Sequence, residues 1–199
     1  MCQFLETIKI KDGKPQNLDY HQYRLERTLK DLYNHKSQVL LEKKITVPEE
    51  YASGLIKCRF LYNIESFEIK FSKYEIKMIS KLKIVEADDL KYNYKYVDRS
   101  YLNRLLEKRE ECDDILIIKN GFITDLSFAN ICFNDGDKWY TPSSPLLEGT
   151  CRSRLLDKKV IQPKEIKISD LSKYQYFTII NAMRGEDLTD IQPIRNIII

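Results

Sequence analysis

Short runs in which apolar and polar residues alternate constrain the fold of this chain more than any other feature. In the segment 55–86 the apolar side chains recur at every second position, in three successive groups: Ile56, Cys58, Phe60 and Tyr62, then Phe67, Ile69 and Phe71, then Tyr74, Ile76 and Met78. Successive side chains of a β-strand point to opposite faces, so this period predicts strands with one buried face. The segment therefore predicts an antiparallel meander.

Turn dipeptides mark further strand pairs. Asp12-Gly13 follows the alternating run 4–10, and Asn120-Gly121 stands between the apolar run 115–118 and the strand-like run 122–126. Asp-Gly and Asn-Gly accept the left-handed backbone of tight turns, and between such runs they predict β-hairpins. Further strands are predicted at residues 130–133, 139–142 and 176–180.

Helix patterns are fewer and separate the strands. Asn17 or Asp19 is placed to cap a helix that reaches about Tyr33. Further helices are predicted weakly over 36–54, and then over 100–111 and 150–159. We therefore predict an α+β fold with two lobes. A small antiparallel-sheet lobe occupies residues 1–88, and a β-rich lobe that carries Lys95 occupies residues 89–199.

Composition argues against several classes of function. The chain of 199 residues is 43% hydrophobic, which is enough to bury a core. Its 33 basic and 30 acidic residues leave a net charge of +3, too small and too evenly spread to predict nucleic-acid binding. Five cysteines without a CxxC pair, beside two histidines, predict neither a disulfide framework nor a metal site and fit a reducing cytoplasm. No apolar run reaches the ~20 residues of a membrane span, and no signal peptide is expected.

The segment 94–102 contains the residue on which the functional hypothesis depends. Tyr92, Tyr94 and Tyr96 alternate with polar residues as in a half-buried strand, and a predicted helix follows. Lys95 thus lies at a strand-to-helix junction, where its side chain can project into a cleft. A lysine with a fixed position and a lowered pKa can hold a cofactor aldehyde as a Schiff base. The alternative is a solvated lysine at a strand end, the usual state of such residues.

Two other patterns could contribute to a site around Lys95. His21, Arg24 and Arg27 are three residues apart and share one side of the first helix, although a solvated basic face is the alternative. Gly149 stands just before a predicted helix, where the amides of Thr150 and Cys151 would face an anion. Most glycines at helix entrances bind nothing, so this pattern alone is weak.

Several short motifs follow one another in a specific order. They are Phe4-Leu5-Glu6-Thr7-Ile8 with Asp12-Gly13, His21-Gln22-Tyr23-Arg24-Leu25, Lys95-Tyr96-Val97-Asp98-Arg99, Gly121-Phe122-Ile123-Thr124-Asp125 with Ala129-Asn130-Ile131, Tyr140-Thr141-Pro142, Leu147-Glu148-Gly149-Thr150-Cys151-Arg152 and Asn181-Ala182-Met183. Together, over residues 4–193, they resemble the class IV aminotransferases. These are pyridoxal-phosphate enzymes of fold type IV, and they include branched-chain and D-amino-acid aminotransferases and aminodeoxychorismate lyase.

The resemblance implies a D-amino-acid aminotransferase-like fold, the cofactor pyridoxal 5'-phosphate, and a role for each motif. Lys95 would form the Schiff base and then act as general base. Asp125 would pair with the protonated pyridine nitrogen, although the family has glutamate at this position. The phosphate would be held by Arg24, Thr150, Cys151, Asn181 and Ala182. Asn130 either contacts the cofactor or orders a buried turn.

The resemblance also implies a small-molecule amino substrate and a homodimer, because sites of this fold type are clefts completed by a second subunit. We favour aminodeoxychorismate lyase, a folate-biosynthesis enzyme that releases 4-aminobenzoate and pyruvate from 4-amino-4-deoxychorismate. The Lys95 and Asn181 motifs look closer to that branch, and the first lobe is shorter than in most members. The alternatives are an aminotransferase of branched-chain or D-amino-acid type and a non-catalytic relative that binds a phosphorylated ligand. Retention of Lys95 together with Asp125 argues against the last.

Overall fold

The computed structural model describes residues 3–199 and divides the chain into two compact units. The first unit ends at Ile76 and also includes Tyr94–Asp98, and the second consists of Lys77–Asn93 and Arg99–Ile199. This division differs from the predicted boundary at residues 88 and 89, and it places Lys95 in the first unit. The reason is backbone pairing: the strand at Leu82–Glu86 pairs within the second unit, whereas Lys95 pairs with the first strand of the chain.

The first unit contains a four-stranded antiparallel sheet in the order β2-β1-β3-β4. Its strands are β1 (Phe4–Lys11), β2 (Lys14–Pro15), β3 (Leu55–Tyr62) and β4 (Phe67–Lys73). Its helices are α1 (Leu18–Tyr33), α2 (Leu41–Lys44) and a 3-10 turn at Glu49–Tyr51. The opening hairpin and the first helix are thus confirmed. Asp12 and Gly13 both have positive φ, 48° and 72°, as the tight turn requires.

Alternation along β1 and β3 decides which face of this sheet is buried. Inward side chains such as Phe4 and Ile8 on β1 and Phe60 on β3 pack with Leu25 and Leu29 of α1. The first lobe therefore has its core between one face of the sheet and the helix, as the period of two predicts.

Three local predictions were wrong. The segment 36–54 forms only two short helical pieces, separated by residues without regular structure. Residues 74–78 form no strand in the described chain, and Ile76 and Met78 are exposed there. The strand predicted around Tyr92 and Tyr94 is reduced to an isolated bridge between Phe4 and Tyr96. For residues 74–78 and for the segment around Tyr92 and Tyr94, the alternation is present but no neighbouring strand continues the ladder.

The second unit is built on a larger mixed sheet in the order β10-β9-β8-β7-β6-β5-β13, and β11 pairs with both β8 and β12. Its strands are β5 (Leu82–Glu86), β6 (Asp114–Lys119), β7 (Phe122–Leu126), β8 (Asn130–Asn134), β9 (Trp139–Pro142), β10 (Gln162–Lys164), β11 (Tyr176–Ile180), β12 (Ile191–Pro193) and β13 (Ile197–Ile198). Its helices are α3 (Ser100–Leu106) and α4 (Thr150–Asp157), with 3-10 turns at Glu107–Arg109, Ile168–Lys173 and Ile194–Asn196.

The hairpin of β6 and β7 forms where the dipeptide predicts it, with φ of 51° at Asn120 and 79° at Gly121. The pairing of β5 differs from the prediction, because β5 runs parallel to β6 and is not the last strand of the meander. The α3 helix is shorter than the predicted 100–111, and it buries Leu102 and Leu105. In the part of the chain that the structure describes, no helix is long and apolar enough to cross a membrane.

Candidate functional site

In the first unit, a buried carboxylate lies against the arginine predicted to bind phosphate. Glu6 on β1 is 0% exposed. Its Oε1 accepts a hydrogen bond from Arg24 Nε at 2.9 Å, and its Oε2 accepts one from Arg24 Nη2 at 2.6 Å. The His21 Nδ1 atom lies 2.6 Å from the same Oε2. Two parallel bonds from a planar guanidinium to one carboxylate form a strong and directional ion pair.

The position of this cluster follows from the face that α1 buries. Leu25 and Leu29 turn towards the sheet, and the helical spacing carries His21 and Arg24 to the same side. These two side chains are only 1% and 6% exposed. The alternative of a solvated basic face is therefore wrong for both of them. A buried guanidinium requires a partner, and Glu6 supplies it.

Electrostatics keep Glu6 ionised and His21 neutral. Burial alone would raise the pKa of Glu6, but the charge of Arg24 and the hydrogen bonds from His21 and Arg24 lower it to about 2. Burial lowers the pKa of His21 against the opposing effect of Glu6, and the charges of Arg24 and Lys95 lower it further. Because the ionised Glu6 can only accept, the His21 proton lies on Nδ1.

Lys95 is held to the same strand through its backbone. The Lys95 carbonyl accepts a hydrogen bond from the Leu5 N–H at 2.9 Å, and the Val97 N–H donates to the Gln3 carbonyl at 2.9 Å. Between these bonds the Phe4 and Tyr96 rings pack with their centroids 5.3 Å apart. The Lys95 side chain is half-buried. The start of β1 thus fixes both the Glu6 carboxylate and the backbone of Lys95.

In the second unit, Asp125 is the centre of a separate group. It lies near the end of β7, directly opposite Asn130 at the start of β8. Its Oδ1 accepts a hydrogen bond from Asn130 Nδ2 at 2.7 Å, and its Oδ2 accepts one from the Leu147 N–H at 2.9 Å. Asn130 Nδ2 also donates to the Leu147 carbonyl at 2.9 Å. Asn130 therefore orders the carboxylate and the loop before α4 together.

Burial governs the acidity of this carboxylate. It raises the pKa of Asp125 from 3.8 to about 6, while the Leu147 amide, Asn130 and the charge of Arg152 act in the opposite direction. The Arg152 side chain is itself buried, and its Nη2 donates to the Pro142 carbonyl at 2.9 Å. Because its pKa of about 6 is below neutral pH, Asp125 is ionised there. A cation bound next to it would stabilise the ionised form further.

The structure shows a packing reason for a glycine at position 149, apart from any role in binding an anion. Its φ is an ordinary −70°, but a Cβ atom there would lie 2.0 Å from Asn130 Oδ1. The glycine is therefore required by the Asn130 side chain. Thr150 and Cys151 begin α4 just after it, and the first-turn amides of a helix have no acceptor within the helix. These amides remain candidates for an anion.

The predicted turn at Asn181 lies beside Asn130. Ile180, the last residue of β11, is directly opposite Asn130 on β8, so Asn181 follows at the same end of these strands. The turn is closed by hydrogen bonds between the backbones of Asn181 and Arg184, at 3.1 and 3.2 Å. Asn181 Oδ1 accepts from the Met183 N–H at 2.8 Å. Ala182 occupies the tip of this turn and is half-buried.

The predicted site residues thus form two groups, one in each unit. The first contains Arg24 and Lys95, and the second contains Asp125, Asn130, Thr150, Cys151, Asn181 and Ala182. The sequence patterns predicted no role for Glu6 or Arg152. Glu6 was detectable, because it occupies an inward position of β1 between Phe4 and Ile8, where an apolar residue is expected. Among residues 3–199, no group of His, Cys, Asp or Glu side chains could hold a metal ion.

Comparison with known proteins identifies the family. Residues 3–197 match the family described as Amino-transferase class IV. An uncharacterized protein of Haemophilus influenzae is 41% identical over 187 residues, which cover 93% of this chain and 100% of that protein. A candidate 4-amino-4-deoxychorismate lyase from Haemophilus somnus, whose crystal structure is known, is 38% identical in sequence to this chain. The two structures align with a TM-score of 0.85 over 92% of this chain and 97% of that chain.

A second solved structure extends the likeness of fold beyond close relatives. A candidate amino-acid aminotransferase from Mesorhizobium loti has a TM-score of 0.81 at 18% identity, over 97% of this chain and 98% of that chain. At this identity the likeness shows the fold alone. The family match covers nearly all of the described residues of both units. The chain therefore belongs to the class IV aminotransferase family and has the fold of the fold type IV pyridoxal-phosphate enzymes.

Proposed function

We propose that this protein is a pyridoxal-phosphate-dependent enzyme that acts on a small amino substrate, and specifically an aminodeoxychorismate lyase. The observation that carries the proposal is the environment of Asp125, a buried carboxylate whose pKa burial raises and whose two oxygens are fixed by Asn130 and Leu147. A protein that only bound a phosphorylated ligand would have no use for such a group. A cofactor with a protonated ring nitrogen would use it directly.

The residues present fit the chemical groups of pyridoxal 5'-phosphate. The Asp125 oxygens accept hydrogen bonds from Asn130 and from the Leu147 amide, and a carboxylate has about four acceptor sites, which leaves capacity for a ring N–H. The Arg24 guanidinium is a planar donor of the kind that binds phosphate, and the first turn of α4 offers amides for the same purpose. Lys95 supplies the half-buried amine for the aldehyde. Asn181 and Ala182 belong to the proposed phosphate side as well.

When bound, the cofactor supplies an electron sink for negative charge at the substrate's alpha carbon. Lys95 Nζ would hold the cofactor aldehyde and, as a free amine, would serve as the base that takes a proton from the substrate's alpha carbon. Asp125 would keep the proton on the ring nitrogen, which makes the electron sink effective. Arg24 would bind the phosphate and hold the cofactor in place.

Two considerations support the lyase over an aminotransferase. The Haemophilus somnus protein, which is 38% identical and aligns over almost its whole length, carries the name of a candidate 4-amino-4-deoxychorismate lyase. The motifs around Lys95 and Asn181 also resemble that branch of the family. The aminotransferase is the second candidate, because the same lysine, carboxylate and arginine serve both reactions.

Product analysis separates the two reactions. The purified protein, loaded with cofactor, is supplied with 4-amino-4-deoxychorismate, and 4-aminobenzoate and pyruvate are followed. A parallel assay offers a panel of branched-chain and D-amino acids with 2-oxoglutarate. We expect both lyase products in equal amounts. Amino transfer to 2-oxoglutarate without release of 4-aminobenzoate would exclude the lyase and support the aminotransferase.

A further inference from the structure

We infer that Glu6 is a positioning residue of the phosphate site, which fixes the Arg24 guanidinium in the orientation that binds the cofactor phosphate. The inference rests on the proposed function, because the phosphate in question belongs to the proposed cofactor. Glu6 itself would touch neither cofactor nor substrate. It acts through Arg24.

The first step is the shape of the guanidinium. Its Nε and Nη2 atoms donate to the two oxygens of Glu6 at 2.9 and 2.6 Å, so one edge of the planar group faces the carboxylate. Because the group is rigid, fixing that edge also fixes the direction of the opposite edge, which carries the remaining N–H groups. Arg24 can bind a phosphate as a planar donor only if that direction is correct.

The second step is the rigidity of Glu6. It stands opposite Phe60 on β3 and between the inward side chains of Phe4 and Ile8, all of them fully buried. Its carboxylate therefore cannot turn to water without leaving Arg24 as a buried, unpaired charge. His21 Nδ1 at 2.6 Å from Oε2 adds a third contact that opposes rotation of the carboxylate.

The third step links Arg24 to Lys95. Leu5, next to Glu6 on β1, donates its N–H to the Lys95 carbonyl at 2.9 Å. Two consecutive residues of one strand thus set the backbone of the amine-bearing residue and the guanidinium of the anion-binding residue. Glu6 is the member of this pair whose side chain can be changed while the strand backbone stays in place.

If only the charge of Glu6 mattered, Glu6 would weaken phosphate binding by Arg24, which is the opposite of the inferred effect. The two explanations can therefore be separated by experiment. The negative charge of Glu6 offsets that of Arg24 and would repel a phosphate dianion. If net charge decided phosphate affinity, removing the Glu6 charge would tighten binding. If orientation decides it, the same change weakens binding.

The test compares pyridoxal 5'-phosphate with pyridoxal, which lacks the phosphate, by titration of the visible absorbance of the protein-bound aldehyde. The wild-type protein should prefer the phosphorylated form. Glu6→Gln should reduce that preference about tenfold or more, the size expected when a charge-assisted hydrogen bond is lost. Glu6→Asp keeps the charge but shortens the side chain, and we expect a loss of preference there too. Glu68→Gln removes an exposed charge of the same sheet and should leave the preference unchanged.

A double variant protects the test against a failure to fold. Glu6→Gln with Arg24→Gln replaces the buried ion pair by two neutral side chains, which proteins often tolerate. In the Arg24→Gln background the Glu6 change should have no further effect on the preference, because Glu6 acts only through Arg24. Circular dichroism and thermal unfolding of each variant confirm the folded state.

The outcomes separate this inference from the proposed function. A wild-type protein that forms no visible band with pyridoxal 5'-phosphate overturns the proposed function, and the inference with it. A wild-type protein with the expected preference, beside a Glu6→Gln variant that keeps or increases it, overturns the inference alone. A further loss on adding Glu6→Gln to Arg24→Gln would also contradict it.

Discussion

Asp125 depends on its surroundings for its chemistry. Its side chain is one methylene shorter than the glutamate that the family has at this position, and Asn130 and Leu147 hold both of its oxygens. A carboxylate with a pKa near 6 is ionised at neutral pH and gains further from a protonated ring nitrogen. The position is therefore suited to retain that proton.

We expect Asp125→Asn to keep the cofactor but to lose turnover by about a hundredfold or more, since a neutral amide cannot hold the ring proton. The measurement is kcat with the preferred substrate, beside cofactor affinity by absorbance titration. A variant with nearly normal turnover would show that Asp125 only ends a strand.

The buried Glu6 carboxylate makes the free energy of unfolding depend on pH in the acidic range. Its folded pKa of about 2 is below its ordinary value of 4.5, so the unfolded state binds the extra proton between these values. The stabilisation is fully present above pH 4.5 and is lost as the pH falls towards 2. A shift of this size corresponds to about 3 kcal/mol.

The free energy of unfolding in urea, measured from pH 7 down to pH 2.5, tests this expectation. The difference between the wild-type protein and Glu6→Gln should narrow as the pH falls below 4.5. For Glu68→Gln, an exposed control, the difference from wild type should change far less. A constant difference between wild type and Glu6→Gln across this range would contradict the role of Glu6 as a buried anion.

The entrance of α4 shows how one glycine supports the buried Asp125 carboxylate from a distance. Gly149 leaves room for Asn130 Oδ1, and Asn130 in turn holds Asp125 and the Leu147 carbonyl. The helix start, the β7–β8 pair and the loop before the helix are thereby one packed arrangement. A methyl group at residue 149 would disturb all three.

We expect Gly149→Ala to cost about 2 kcal/mol of unfolding free energy, as overpacking usually does. In an Asn130→Ala background the same change should cost little, because the atom that clashes has been removed. Urea unfolding of the wild type, the two single variants and the double variant gives the coupling free energy between Gly149→Ala and Asn130→Ala. Equal costs of Gly149→Ala in both backgrounds would show that the contact with Asn130 is unimportant.

Strands were predictable from the sequence, whereas their partners were not. The strands β6 and β7 were found from the Asn120-Gly121 turn between two strand-like runs. For β1 and β3 the evidence was a period of two, which identifies a strand and its buried face. It does not identify the neighbouring strand, so β5 was assigned to the meander although it pairs in parallel with β6. The residues 74–78 alternate in the same way and find no partner in the described structure.

The candidate site was predictable to the same degree. Motif order pointed to Arg24, Lys95 and Asp125, because their types and spacing resemble the family pattern. The contacts that hold them were not predictable. The pairing of Glu6 with Arg24 joins a strand to a helix, and the packing of Asn130 on Gly149 depends on side-chain positions to within an ångström.

For the whole protein we propose a homodimer, as the resemblance to fold type IV enzymes implies. Sedimentation velocity at micromolar concentration should give the mass of two chains, each of 23.7 kDa. Dilution to dissociation should release the cofactor, because a site completed by the second subunit would open. A stable monomer that keeps its cofactor would contradict this proposal.

Lys95 is, in the proposed function, the residue that bonds the cofactor, a claim that borohydride reduction can decide. The protein is incubated with pyridoxal 5'-phosphate, reduced to make the lysine bond permanent, digested and mapped by mass spectrometry. We predict the label on Lys95, no visible absorbance band in Lys95→Ala, and a normal band in Lys91→Ala, an exposed control nearby. A label on any other lysine, or a normal band in Lys95→Ala, would contradict the claim.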